Sequence, residues 1–545
     1  MPLQTPGFRA AQEHANKMPA LLETLFRQTV TSSERVLLKE YLHAAEKDMT
    51  QYEAEIEEHR AAIIMLETRR KKLQHIMGKC RSLLAPVHRM PPEILAQVFS
   101  VVCWQNAVEP NCMPPAIQLS FVCKRWRDIA LSLPSLWASL SIHFERWKMN
   151  FERLERIVSV FMERSKSSPL SLVLDLTCSD WRQDAHASEM CTALLDTLVR
   201  NSNRWKMARL NVSTTGLCHP AFEPIIGHLP ILKSLSLTGH DDADIITDNP
   251  VLDLDAIFGA CPALDDLFVS AQMVVDGVSL PWRQIRSLGL GWFLHLEHFT
   301  LALAQCTNVE SLHLNDIEFV EYPETPIHPG PTMPNVKHLN MEFDSSDDMF
   351  PVLRCLDLPA LTSVRLQGQF NGSQYKTAEL HLSSFLERSS NRITSLSLVT
   401  FPISDQNAIS LLRMIPTLEQ LYIEEEYRWK LNSNIKQRMI TTEFWRSLSL
   451  IHATSSSHIV PRLKELELIF HGDDLNDGAL LDTLTSRFTP DGGEVACLKK
   501  ITLKIIGGVP SSQLKESLGS LTRHFGQKGT RLEVSYLEKG WINDY

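Results

Sequence analysis

The sequence lacks the cysteine pairs that would staple a small secreted domain or cage a zinc ion. Its 11 cysteines, an odd number, are scattered through 545 residues with no C-x-x-C pair, which argues against a disulfide framework and for a reducing compartment. Long apolar runs are missing as well: none approaches the roughly 18 residues of a membrane span, and no basic stretch followed by an apolar core opens the chain. The expectation is an intracellular protein, cytoplasmic or nuclear, with no membrane partner. Positive charge is in deficit, with Lys+Arg 54 against Asp+Glu 64. That balance disfavours a phosphate-backbone binder, and no nucleic-acid partner is expected.

Catalytic signatures are absent too. The chain has no Walker lysine loop, no G-x-G-x-x-G, no H-E-x-x-H and no G-x-S-x-G, so phosphate cradles, zinc proteases and nucleophile elbows are not indicated. The run Asp473-Asp474-Leu475-Asn476-Asp477-Gly478 has the outline of a calcium loop. Its third position is Leu475 and its twelfth is Leu484, which leaves too few oxygen ligands. The sequence reads as a non-enzyme with no catalytic residue, no metal site and no cofactor.

What is present falls into patterned stretches. Residues 1–33 hold Pro2, Pro6, Gly7 and Pro19 with no long period and read as a flexible leader. From Leu38 the positions Leu42, Ala45, Met49, Tyr52, Ile56, His59, Ile63, Leu66, Arg70, Leu73 and Met77 alternate steps of four and three. This is a heptad seam, and it predicts one coiled-coil helix over 34–80. Such a stripe needs a cover, for which self-association is one candidate, although His59 and Arg70 place polar groups in it.

The stretch 84–140 is organised around Met90-Pro91-Pro92-Glu93-Ile94-Leu95 and Leu119-Ser120-Phe121-Val122-Cys123-Lys124-Arg125-Trp126. Prolines suit a first helical turn, and Glu93 there meets the positive end of the helix dipole. Ile94, Val98 and Val101, flanked by Leu95, Phe99 and Val102, make a wide apolar face that should be mostly buried. After the proline-broken loop 108–115, the spacing of Leu119, Val122, Trp126, Ile129 and Leu133 predicts a second amphipathic helix, stopped at Pro134. Two helices this short carry more apolar surface than they can cover between themselves.

Met-Pro-Pro-Glu-Ile-Leu, a loop, Leu-Ser-x-Val-Cys-Lys-Arg-Trp and a later Leu136-Trp137 closely resemble the F-box. The resemblance implies a three-helix module docking the Skp adaptor of a cullin ubiquitin ligase core. Carried over, the adaptor-binding residues are Met90, in place of the family's usual Leu, with Pro91, Glu93, Ile94, Leu95, Val98, Val122, Cys123 and Trp126. The connection from Phe99 to Leu119 departs from the family by its length and its three prolines.

Downstream, the pattern L-x-x-L-x-L recurs, clearest from Leu232, Leu264, Ile285, Val309, Val336, Leu361, Ile393, Leu418, Leu463 and Leu498, with weaker openings at Leu170 and Met207. Most starts lie 21 to 35 residues apart, with one gap of 45 between Leu418 and Leu463. A short strand and a helix per repeat make a solenoid. Residues 141–545 thus resemble the divergent leucine-rich repeats that accompany F-boxes. The expected fold is α/β, a leucine-rich-repeat solenoid (horseshoe) preceded by an all-α F-box module and the long helix. The Asn or Cys expected eight positions after the first Leu is missing, being for example His240, Phe293 or Asp344. Cys261, Cys306 and Cys497, just before strands, read as small packing residues.

In this repeat the leucines point inward and the alternate residues face a continuous platform. Phe268, His313, His338, Arg365, Tyr422 and Glu424 lie there, and Glu425 and Glu426 join other acid runs (Asp241, Asp242 and Asp244; Asp344, Asp347 and Asp348; Asp473 and Asp474) just beyond the strands. Aromatics are added at Trp292, Phe343, Tyr427 and Trp429. These are the candidate residues for binding a basic or amphipathic segment of a substrate protein. Two functions follow: a substrate-recognition subunit of a Skp-cullin-F-box ligase, or a non-catalytic scaffold assembling through the long helix and the repeats.

Overall fold

The computed structural model describes residues 22–27, 29–147, 150–176, 185–212, 217, 220–239, 257–270, 280–291, 296–315, 317, 330–343, 346–368, 375–389, 392–401, 403–425, 438–451, 458–472, 475–489, 495–507, 512–526 and 529–537. Most of the leader, Glu426, Tyr427, Trp429, Trp292, Asp344 and the acid runs at 241–244 and 473–474 lie outside them. Contacts divide the chain into two units, Met1–Ile94 and Leu95–Tyr545.

The first unit is dominated by one helix, α1, Ser32–Leu84, 53 residues long. The Thr31 backbone N–H donates to the Glu34 carboxylate at 2.8 Å, closing the first turn. At the other end Pro86 forces Ala85 into an extended conformation (φ −59°, ψ 142°) and stops the helix. No residue of α1 is buried. Its large apolar residues from Leu42 to Leu84 stand in solvent.

In the F-box stretch, α2 spans Pro92–Val102, with Glu93 in its first turn. The single second helix expected from periodicity is two: α3, Pro115–Val122, and α4, Lys124–Ser132. Between them Cys123 is extended (φ −160°, ψ 171°), and its sulfur accepts the Trp126 N–H at 3.5 Å, so a thiol takes the role of helix cap. Spacing alone could not show this break, because the apolar positions keep their 3-4 rhythm across it.

The rest of the second unit is built on one open, all-parallel sheet, fifteen strands among the described residues, ordered as they occur in the chain. The strands are β1 Ala107–Val108, β2 Ser139–His143, β3 Leu170–Asp175, β4 Trp205–Asn211, β5 Ser234–Thr238, β6 Asp266–Ser270, β7 Ser287–Gly291, β8 Ser311–Asn315, β9 His338–Phe343, β10 Ser363–Gly368, β11 Ser395–Val399, β12 Gln420–Glu424, β13 Glu465–His471, β14 Lys500–Ile506 and β15 Arg531–Leu537. The ten clear repeats and both weaker openings are strands; β1, β2 and β15 were not foreseen. In register, Leu235, Leu267, Leu288, Leu312, Leu339 and their successors form one apolar row, and Leu237, Val269, Leu290, Leu314 and Met341 another. Both of these inner rows are buried. Sequential parallel strands with intervening helices are compatible with a solenoid.

The proline-broken loop supplies the first strand of this sheet. β1 pairs with β2 in parallel, and the buried Asn106 side chain fixes the junction: its Nδ2 donates to the carbonyls of Leu136 (2.9 Å) and Ser139 (3.0 Å), while its Oδ1 accepts from Ala116 N (3.0 Å). The Trp147 indole N–H donates to Val108 O at 3.0 Å, and Arg153 to Pro110 O at 2.8 Å. Trp137 packs edge-on against Phe161 (5.2 Å between centroids) and donates to Ala130 O at 2.9 Å. The insertion thus joins the F-box helices to the sheet by satisfying backbone groups that a buried loop would otherwise leave unpaired.

Candidate functional site

Two surfaces carry the candidate residues. On α2, Leu95 and Phe99 are fully buried, whereas Ile94 is 43%, Val98 44% and Val101 73% exposed. The expectation that this face is mostly buried is corrected: only the Leu95/Phe99 edge turns inward, with Phe99 against Trp126 (centroids 4.9 Å apart). Leu95, expected among the adaptor-binding residues, is therefore part of the interior and offers no surface. Val122 and its neighbour Phe121 are 59% and 62% exposed. Pro91 and Glu93 are exposed, while Met90, Cys123 and Trp126 are half-buried. The exposed apolar set is thus Ile94, Val98, Val101, Phe121 and Val122, on helices whose interior is already filled. Trp104, 74% exposed beyond α2, was not singled out from sequence.

The second surface is the open face of the sheet. One row runs Phe268, Gly289, His313, Asn340, Arg365, Ser397, Tyr422, Glu467 and Thr502, so four of the candidates, Phe268, His313, Arg365 and Tyr422, lie in a single register line. His338 lies in the row on its N-terminal side and Glu424 in the row on its C-terminal side. Phe268 is half-buried because its ring lies across Gly289, where an added Cβ would meet Phe268 Cδ2 at 2.3 Å. The phenol of Tyr422 donates to Glu424 at 2.5 Å, and burial first, then the Glu424 carboxylate, pushes its pKa up. Tyr422, Gln420, Glu465, Glu467, Lys500 and Thr502 line a concavity of about 160 Å³.

Glu425 does not belong to this surface. Its carboxylate is buried, with Oε1 accepting from the backbone N–H of Met439 (3.1 Å) and Ile440 (2.8 Å) and Oε2 from that of His471 (3.1 Å). Burial raises its pKa above the ordinary carboxylate range. A side chain tied to three backbone donors is a brace between segments. Phe343 is likewise buried, and Cys497 is exposed where Cys261 and Cys306 are buried as expected.

An F-box-like family model matches residues 87–143, so the chain carries an F-box-like domain over α2, α3, α4 and β2. No match to a curated protein was found. Among the described residues, no helix is long and apolar enough to cross a membrane.

Proposed function

We propose that the protein is the substrate-recognition subunit of a Skp-cullin-F-box ubiquitin ligase. In this reading the F-box-like domain docks the Skp adaptor, the open face of the leucine-rich-repeat-like sheet holds a substrate protein, and the covalent transfer is left to the ligase core. The observation that carries it is the set Ile94, Val98, Val101, Phe121 and Val122, apolar and in solvent within a domain of a family that docks this adaptor. Apolar anchors of this kind are what a protein interface buries at its centre.

The test is capture of the Skp adaptor by the full chain and by an Ile94→Ala, Val98→Ala, Val122→Ala variant. Each anchor removed from the middle of an interface costs about 2 kcal/mol, and 1.4 kcal/mol is tenfold in affinity, so capture falls by far more than tenfold. The circular dichroism stays unchanged, because the three side chains are largely exposed. Capture by the unsubstituted chain no stronger than by the folded variant would leave the scaffold reading in place.

A further inference from the structure

We propose that α1 pairs with α1 of a second copy of this chain in the antiparallel direction, with Ile56 of each copy opposite His59 of the other. The inference is independent of the ligase reading. It starts from a seam of apolar residues on a helix in which nothing is buried: Leu42, Met49, Ile56, Ile63, Leu66, Leu73 and Met77 are between 43% and 62% exposed.

Charge and polarity choose the occupant's direction. In a parallel pair of copies each seam residue meets itself, which sets Arg70 against Arg70 and His59 against His59 in the core. Reversing one helix pairs the two seam positions of each heptad with one another. In the register centred between Ile56 and His59, Leu42 faces Leu73, Met49 faces Leu66, Ile63 faces Tyr52 and Met77 faces Leu38. Arg70 then faces Ala45, whose small side chain leaves room for the arginine stem to run outward with its charge in water.

The flanks agree. Antiparallel helices bring flanking positions of the same kind together, so Asp48 meets Arg69 and Glu53 meets Arg60, each twice by symmetry, while Tyr41 meets Ile76. One repulsive pair remains, Glu46 with Glu67. The parallel arrangement has two attractive pairs, Glu55 with Arg60 and, near the start of the helix, Glu34 with Lys39, and sets Asp48 against Glu53. Shifting the antiparallel register by a heptad toward the C-terminus sets Arg60 against itself and Glu53 against Glu67. The flanks of the centred antiparallel arrangement are thus better than those of the shifted one and equal to those of the parallel one, and the seam decides: of the centred antiparallel and the parallel arrangement, only the antiparallel keeps Arg70 and His59 from meeting themselves in the core.

The experiment uses the full chain in a Cys80→Ser background. One preparation carries Leu42→Cys and a differently tagged one Leu73→Cys; both positions are exposed on α1, so neither change threatens the fold. After mixing and oxidation, the expected result is a cross-link between unlike chains only, above the background of the Cys80→Ser chain. A link between two Leu73→Cys chains would mean parallel pairing and overturn the proposal. So would light scattering at the mass of one chain. A charge exchange sharpens the result: Asp48→Lys or Arg69→Glu alone weakens the dimer on the order of tenfold, because two favourable pairs become repulsive. The double exchange restores it only if the two residues face each other. Failure of the restoration would refute the register even with the dimer intact.

Discussion

In the sheet the two inner rows of apolar residues are buried strand after strand, whereas on the F-box helices Ile94, Val98, Val101, Phe121 and Val122 are left in solvent. Both regions show apolar residues at regular spacing. The spacing states which face of an element is apolar; it does not state what covers that face. In the sheet the cover is the chain's own helices, as with Leu480 and Leu484 of the helix Asp477–Phe488 and Leu514 and Leu518 of the helix Ser512–Gly526, all buried. On the F-box helices no such cover is found among the described residues.

The largest effect that would break or sharpen this contrast comes from trimming one residue of each kind. Leu314, fully buried between Leu290 and Met341 in its row, should lose about 3 kcal/mol on Leu314→Ala, the sum of lost transfer energy and the cavity left behind. Val98→Ala should change stability by less than about 0.5 kcal/mol, as expected of an exposed site. Denaturant midpoints of the full chain check both. An equal loss at Val98 would show that its side chain is covered within the chain and would remove the contrast.

Next comes the join between the two regions. Asn106→Ala removes the partners of the Leu136 and Ser139 carbonyls and of the Ala116 N–H in a buried place. A loss of about 2 kcal/mol or more is expected, the cost of leaving such groups unsatisfied. Amide exchange should quicken at Ala116 and at Ser141, whose N–H donates to Asn106 O, while strands from β5 onward keep their protection. Loss of protection along the whole sheet would mean that the junction and the repeats form one cooperative unit.

This junction also marks where the sequence stops being legible. The ten repeat strands could be read because L-x-x-L-x-L fixes both the alternation and the inward rows. β1 could not, since two residues, Ala107 and Val108, in a loop with three prolines carry no period; a buried asparagine reaching Leu136 and Ser139 fixes them. The break at Cys123 was hidden because both helices keep one rhythm. On the sheet face, alternation correctly placed Phe268, His313, His338, Arg365, Tyr422 and Glu424 away from the interior. It could not say that Phe268 would lie down on Gly289, because that depends on the glycine of the next strand.

The smallest expected effects separate two adjacent acids. Glu424 ends β12 and faces the open side, bonded to Tyr422, while Glu425 one residue later is buried against three backbone N–H groups. Glu425→Gln keeps the shape but points an amide N–H₂ at a backbone donor, so about 1–3 kcal/mol of stability is lost although a buried charge is removed. Glu424→Gln should leave the denaturant midpoint unchanged and act on association alone. With Glu465 half-exposed in the neighbouring strand, Glu424→Gln, Glu465→Gln should slow binding of a lysine- and arginine-rich model peptide severalfold at low salt. The difference should vanish at high salt, where the screening length falls to about 3 Å. Equal association rates at low salt would remove the electrostatic role proposed for this face.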